Sequence, residues 1–420
     1  VNDGKNWQKL QGNFPVVPVY DMKIKQDDLV VGTHGRSFWI LDDLTPLREL
    51  SGQSSGTETE ISGIRFFPPR TTYRRTLNWS VNLYLGDGKN YSPDFGLPGT
   101  HYQETTPDGE KRFRHLDMGE NPPEGVIVNY FIESEANLTP EKPLELIVLD
   151  ANGAEIERFS TKKTDEKSDK SESEESEPSD EKPSLTAKVG FNRFVWNMHY
   201  PGPEVKIDKS LEEAGYKPLG RGEAGPGGGP IAPPGSYQVC LKSGENEIRH
   251  FFEIVKDPRL NTSPEDFSAQ FELWIKIRNR VSDLNSAINR IRRIKLQIRE
   301  LLARENFNNS AEEKRFGEMQ KAAETLREKF NTLENELTQN QYETPSDRLR
   351  HPTMLKQRME ALVSVVAVAD AAPPQQAYSV FEHLSALIDQ RLAELSELEK
   401  QEVVRLNQQI DQAGIRKLQG

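Results

Sequence analysis

The sequence predicts a multidomain chain of mixed β plus α class, with β-structure first and an antiparallel helical bundle after it. Up to about residue 262, short strand-like runs alternate with turns rich in Gly, Pro and Asn. Beyond that point, apolar residues recur with helical spacing in a stretch rich in Glu, Leu, Gln, Arg and Ala. The 420 residues suffice for about two to four domains at roughly 100–200 residues each.

Residues 1–50 contain three strand candidates separated by short polar turns, which predicts one small sheet taken from a larger β array. Residues 51–62 are rich in Ser, Gly, Thr and Glu and carry no aromatic residue, which predicts a linker. We interpret the whole region 51–121 as linker and accessory β-structure, with loops from about 86 to 123. The strand candidates up to this point are 16–25, 28–33, 37–41 and 79–85.

Residues 122–260 are predicted to form a β-sandwich, because six short strands are separated by turn signals. An acidic insertion at 161–184 has no aromatic residue and is predicted to be disordered. A stretch rich in Gly and Pro, 213–234, is predicted to be a flexible connector. The strand candidates are 126–133, 144–149, 155–159, 193–198, 237–241 and 249–255.

Residues 261–420 are predicted to form the helical bundle. Ser263 is a candidate N-cap, followed by Pro264 and two acidic residues at the positive end of the helix dipole. Apolar residues then follow at a mean spacing close to the heptad value over 267–301. Helices of this length joined by short loops favour an antiparallel bundle. The predicted helices are 264–304, 311–339, 354–369 and 375–398, the last continuing to 413 after a break.

The net charge and the cysteine content argue against several classes of function. The net charge of −12 argues against nucleic acid as the main partner, because that binding depends on phosphate neutralisation by Lys and Arg. Cys240 is the single cysteine, so an intramolecular disulfide and a Cys-based zinc cluster are both excluded. No apolar run approaches the length of a membrane span. The chain begins with Val1, and we expect it to be a piece of a longer protein whose targeting signal lies upstream.

One cluster near the start has the residue types of a catalytic site. His34 could act as a base, Arg36 could bind an anion, and Asp42 or Asp43 could act as an acid. Alternatively, His34 and Gly35 form a turn between strands while the other three residues bond to neighbouring backbone. The sequence predicts no catalytic, cofactor-binding or metal-binding set beyond this candidate, because the seven His never fall at ligand spacing.

A basic cluster at 290–295 lies on the longest predicted helix. It could be a patch for an acidic partner. The alternative is that these charges flank an apolar seam and pair with the acids of neighbouring helices, which is the usual arrangement in bundles.

The first residues, Asn2-Asp3-Gly4-Lys5-Asn6-Trp7, resemble the end of an Asp-box, the hairpin found in BNR-type β-propellers. Asp3 would cap the turn, Gly4 would take a positive φ, and Trp7 would pack between blades. Residues 15–22 and 28–43 together resemble the last blade of bacterial sortilin-like BNR propeller proteins, which are often labelled glycosyl hydrolases.

The resemblance to that family covers nearly the whole chain. Residues 190–198, 232–239 and 252–259 are similar to the Ig-like module that follows the propeller. Residues 270–278 and 406–415 are similar to the opening and closing of the family's helical C-terminus. The resemblance implies a remnant of the final blade at 1–50, an Ig-like β-sandwich at 122–260 and export to the periplasm or the extracellular space.

These observations together predict a non-catalytic structural and interaction region that braces a propeller and binds a protein or a glycan, with no cofactor. One alternative is an accessory region of an exported hydrolase whose active site lies in upstream propellers. Another is a homodimerisation module that uses the long helix.

Overall fold

The computed structural model describes residues 4–7, 13–50, 60–61, 63–75, 87–92, 99–105, 111–116, 123–134, 143–161, 183–211, 228–303, 310–341, 347 and 349–412. The chain has mixed β plus α architecture, with a helical C-terminal region. It divides into two compact units. The first consists of Val1–Met198 with Pro234–Leu260, and the second of His199–Pro233 with Asn261–Gly420. The change from β to α therefore occurs where the sequence predicts it.

The first sheet is an antiparallel meander in the order β1-β2-β3. Gln26 and Asp27 connect β1 to β2, and both have a positive φ. A two-residue turn with two positive φ values matches the right-handed twist of a hairpin. A short helix α1 follows the sheet. The elements are β1 (Val19–Lys25), β2 (Asp28–Thr33), β3 (Phe38–Leu41) and α1 (Thr45–Leu50).

Two larger sheets form the core of the first unit, in the orders β13-β10-β5-β4 and β12-β11-β14-β15-β6. Their side chains meet: the Trp196 ring lies 6.2 Å from Tyr237 and 6.4 Å from Phe252, between ring centroids. Their strands are β4 (Glu60–Ile61), β5 (Ile64–Phe66), β6 (Thr72–Arg74), β10 (Val126–Ile132), β11 (Leu144–Leu149), β12 (Glu155–Ser160), β13 (Gly190–Trp196), β14 (Gly235–Ser243) and β15 (Asn246–Lys256).

β4, β5 and β6 lie in the region predicted to hold linker and accessory β-structure, and they complete the two core sheets. The prediction of loops over about 86–123 needs correction. The stretch expected to be loops forms a separate antiparallel sheet of β7 (Gly88–Ser92), β8 (Gly99–Thr105) and β9 (Lys111–His115). The strands of this sheet are mostly polar, so they lack the alternation of apolar and polar residues that predicts a strand. The predicted strand 79–85 and nearly all of the predicted disordered insertion, 162–182, lie outside the described residues.

The second unit is built on α2, a helix of 39 residues. Ser263 caps it as predicted: its Oγ accepts from the Asp266 backbone N–H at 3.2 Å, and the Asp266 carboxylate accepts from the Ser263 N–H at 3.1 Å. A π-helical turn at Leu398–Val403 makes the break predicted near 398. The helices are α2 (Pro264–Leu302), α3 (Ser310–Leu337), α4 (Leu355–Val366), α5 (Gln375–Glu397) and α6 (Val404–Gln412).

The helices do not simply alternate in direction. Arg280 bonds to Asp389 at 2.5 Å and Arg290 to Glu399 at 3.0 Å, so α2 and α5 run parallel. The end of α4 lies beside the start of α2, because the Gln270 side chain donates to the Val366 carbonyl at 2.7 Å. α3 and α4 therefore form the returning leg together. The described helices thus form three legs, and the two outgoing ones are parallel neighbours.

The apolar stripe of α2 is filled by the chain's own helices. Between Leu273 and Leu301, the buried apolar residues of α2 are at most 5% exposed and belong to one core with side chains of α3 to α6. The described residues therefore give no support to a dimer through this stripe. The α2 members of this core are Leu273, Trp274, Ile277, Val281, Leu284, Ala287, Ile288, Ile291, Ile294, Ile298 and Leu301.

The basic cluster on α2 pairs with acids of neighbouring helices, as one of the two interpretations predicted. Arg290 bonds to Glu399, and both Arg292 and Lys295 bond to Glu334, at 2.7 and 2.9 Å. Arg292 and Glu334 are only 7% and 4% exposed. These cations are thus part of the bundle rather than an open patch.

His250 is buried between the two core sheets and should make the first unit sensitive to mild acid. Its Nε2 lies 3.0 Å from the Phe66 carbonyl oxygen, and burial lowers the pKa of the imidazole although this hydrogen bond and Glu49 oppose the shift. The imidazole binds a proton less readily in the folded chain than in the unfolded chain, whose ordinary pKa is 6.5, so stability rises with pH through this window. We expect the urea midpoint of the first unit to fall as pH drops from 7 towards 5.

The control uses His383, which is exposed on α5. His250→Gln keeps a donor for the Phe66 carbonyl but cannot titrate, so it should flatten the pH dependence. His383→Gln should leave it unchanged. Equal slopes in the two variants would show that His250 does not set the dependence.

Candidate functional site

His34 and Arg36 lie in the turn between β2 and β3. The Thr33 N–H and hydroxyl both donate to the Ser37 carbonyl, at 3.2 and 2.6 Å, and close this turn. The His34 N–H donates to the Pro18 carbonyl at 3.0 Å, and the Arg36 carbonyl accepts from the Trp39 indole at 3.0 Å. Both residues thus lie in a turn.

Asp42 and Asp43 lie at the other end of the same sheet. Leu29 pairs with Leu41, so Asp42 follows the edge where β2 begins, whereas His34 follows the edge where β2 ends. The six residues of β2 span about 17–20 Å. The structure therefore does not bring the four candidate residues together.

Asp28 connects the acidic end of the sheet to the rest of the first unit. Its Oδ1 accepts from the Asp43 backbone N–H at 2.8 Å and from the Arg70 guanidinium at 2.7 Å. Asp43 has a φ of 57°, and its carboxylate accepts from the Thr45 N–H at 3.0 Å. Burial, followed by the charge of Asp28, raises the pKa of Asp42, while Arg70 and Arg193 oppose the rise.

This arrangement can brace the sheet and hold a proton on Asp42 more readily than an exposed carboxyl would. Sequence analysis missed Asp28 and Arg70, and no sequence pattern relates two residues 42 positions apart. Among the described residues, no group of three or more His, Cys, Asp and Glu side chains could hold a metal ion.

The residues that resemble an Asp-box are only partly described. Gly4 has a φ of 80°, and the Trp7 ring lies against it, about 3.5 Å from where a Cβ would stand. Trp7 is exposed. Asp3 lies outside the described residues.

The β1–β3 sheet exposes large apolar side chains on both of its faces. Met22 and Ile24 of β1 share one face and are 61% and 60% exposed. Phe38 and Ile40 of β3 share the opposite face, and Phe38 is 77% exposed. Single exposed apolar residues are normal on protein surfaces, but contiguous sets mark places where another structure packs. We therefore identify this sheet, rather than the predicted catalytic cluster, as the candidate site.

No family model matches the chain, and neither a curated protein nor a solved structure matches it. In the part of the chain that the structure describes, none of the helices is both long and apolar enough to cross a membrane.

Proposed function

We propose that this chain is a non-catalytic structural and interaction region, in which the β1–β3 sheet packs between neighbouring β-structures. The observation that carries the proposal is the exposure of apolar side chains on both faces of one small sheet. A blade of a β-propeller requires apolar side chains on both faces, because each face is covered by a neighbouring blade. The resemblance of residues 1–43 to the last blade of exported sortilin-like BNR proteins supports the same reading.

The two core sheets support an Ig-like module within this proposal. Aromatic side chains from both sheets meet around Trp196, as in a sandwich. One pair departs from the usual antiparallel pattern, because β6 pairs with β15 in parallel. In this proposal the module and the bundle brace the propeller, and the partner is a protein or a glycan outside the cell.

The alternative of a hydrolase accessory region shares this architecture. It differs in requiring catalysis elsewhere in a longer protein, and it is supported by the position of His34 and Asp42 at opposite ends of the β1–β3 sheet. Turnover of chromogenic glycosides by the chain alone would overturn the non-catalytic assignment.

The exposed face can be tested with Met22→Lys combined with Ile24→Lys. We expect the variant to keep the wild-type denaturation midpoint, because both side chains are already in water. We also expect the wild type to associate in a concentration-dependent way in analytical ultracentrifugation, and the variant to lose this association. The same experiment should show weaker binding of an apolar dye.

The matched control is Val380→Lys, which replaces an isolated exposed valine on α5. It should leave association unchanged. A wild type that stays monomeric at all concentrations and binds no dye would contradict the proposed packing surface.

A further inference from the structure

A segment of the second unit that forms neither a helix nor a strand lies along α2. We call residues 199–208 the arm. Its start is held by two aromatic contacts, Tyr200 with Phe271 at 4.8 Å and His199 with Trp274 at 6.3 Å between ring centroids. Further along, Ile207 packs against the helical core. The arm thus uses few side chains to stay on the helix.

On the side that contacts the arm, α2 carries a stripe of polar side chains, which we call the α2 polar stripe. Its members are separated by four, three and four positions, so they lie on one face of the helix. Every hydrogen bond from this stripe described below goes to the main chain of the arm. The stripe consists of Arg278, Ser282, Asn285 and Asn289.

Asn289 binds the arm through both the nitrogen and the oxygen of its side-chain amide. Its Nδ2 donates to the Lys206 carbonyl at 2.8 Å, and its Oδ1 accepts from the Asp208 N–H at 2.9 Å. Asn285 donates to the Val205 carbonyl at 2.8 Å. Because these bonds go to backbone groups, they do not depend on the side chains of the bound segment.

Two further bonds extend this recognition towards the start of the arm. The Ser282 hydroxyl accepts from the Val205 N–H at 3.3 Å, and Arg278 donates to the Pro201 carbonyl at 3.3 Å. The stripe therefore contacts the main chain of the arm from Pro201 to Asp208.

One hydrogen-bond acceptor of the stripe is not used by the arm. Asn285 is 5% exposed, and its Oδ1 is buried without a hydrogen-bond partner among the described residues. A neighbouring asparagine on the same face, Asn289, bonds through both its nitrogen and its oxygen. A segment that placed one more N–H beside Asn285 would therefore fit the stripe better than the arm does.

We propose that the α2 polar stripe is a binding track for a peptide segment of a partner protein, and that the arm occupies it as an internal competitor. The arm itself indicates the chemistry of the partner: a main chain whose N–H and carbonyl groups are free to bond to the stripe, an aliphatic side chain at the position of Ile207 and an acidic one at the position of Glu204, near Arg278. Tethering gives the arm an effective concentration on the order of millimolar. A partner therefore binds well only when the arm is released. This track is separate from the β1–β3 sheet and does not rest on the function proposed for it.

The test uses Ile207→Asp, which removes the core contact of the arm and leaves the stripe intact. The probe is a fluorescein-labelled synthetic peptide with the sequence of residues 199–209, followed by fluorescence anisotropy. We expect Ile207→Asp to bind it at least tenfold more tightly than the wild type. Adding Asn289→Ala to Ile207→Asp should weaken the binding of the peptide at least tenfold. A peptide N-methylated at the position of Asp208 should bind equally poorly, because it has lost the N–H that Asn289 accepts.

A second variant, with residues 203–208 replaced by Gly and Ser, releases the arm without adding a charge. Circular dichroism establishes that each variant is folded. If neither folded variant binds the peptide, the proposal is wrong. A doubled mass of the wild type that Asn289→Ala abolishes would also overturn it, since the occupant would then be the arm of a second copy.

Discussion

Glu334→Ala is expected to lower the free energy of unfolding of the helical unit by about 3–5 kcal/mol. Glu334 bonds to Arg292 at 2.7 Å and to Lys295 at 2.9 Å, and all three side chains are largely buried. Removing the carboxylate takes away a buried negative charge that two cations of α2 share inside the bundle. Desolvated charges that lose their partner cost far more than the pair contributes when it is intact. Chemical denaturation followed by helical circular dichroism measures the loss.

The matched control is Glu336→Ala, two positions further along α3. Glu336 bonds to Arg391 at 2.6 Å, but the two side chains are 44% and 35% exposed. Exposed pairs contribute about 0–1 kcal/mol, so this variant should be nearly neutral. Losses of similar size at both positions would show that burial does not decide the effect.

A triple variant separates unpaired charge from lost packing. Arg292→Met, Lys295→Met and Glu334→Leu together remove every charge of the group and keep most of its volume. Buried ion pairs replaced by apolar side chains are often neutral or more stable. The triple variant should therefore regain most of the stability that Glu334→Ala loses. If the triple variant is as unstable as Glu334→Ala, the loss of stability comes from packing.

Local features of this fold could be predicted from the sequence because their causes are local. The Ser263 cap, the apolar stripe of α2 and the break after α5 depend on residues within a few positions of one another. Phe194 and Trp196 lie two positions apart on β13 and are both buried, as the alternation of side chains along a strand implies. Each of these patterns has a period or a cap that a single segment displays.

The features that were missed depend on pairings across long stretches of chain. β6 joins β15 more than 170 positions away, and no local signal selects that partner. Asp28 and Arg70 meet for the same reason. The parallel course of α2 and α5 follows from α3 and α4 sharing one leg, which the lengths of the helices alone do not reveal. The α2 polar stripe does have a visible spacing, but its ligand is an arm without any periodicity.

Gly125→Ala is expected to be the most damaging single substitution in the first unit. Gly125 has a φ of 129°, which L-residues rarely adopt, and it stands directly before β10. A Cβ there would lie 2.2 Å from the Trp196 carbonyl oxygen of the paired strand β13. Backbone strain costs about 1–3 kcal/mol and overpacking about 1–3 kcal/mol, so the expected loss is the sum of the two.

Gly153→Ala isolates the backbone contribution to that loss. Gly153 also has a positive φ, 84°, but a Cβ there meets no atom within 4 Å. This variant should lose only the conformational part, about 1–2 kcal/mol. Hydrogen exchange of β10 and β13 locates the effect, because the end of β13 carries Trp196 into the core. Faster exchange confined to the Gly125 variant would show that the close approach of the two strands holds the core sheets together. Equal exchange in both variants would show that the strands separate at little cost, and that the positive φ alone accounts for the glycine.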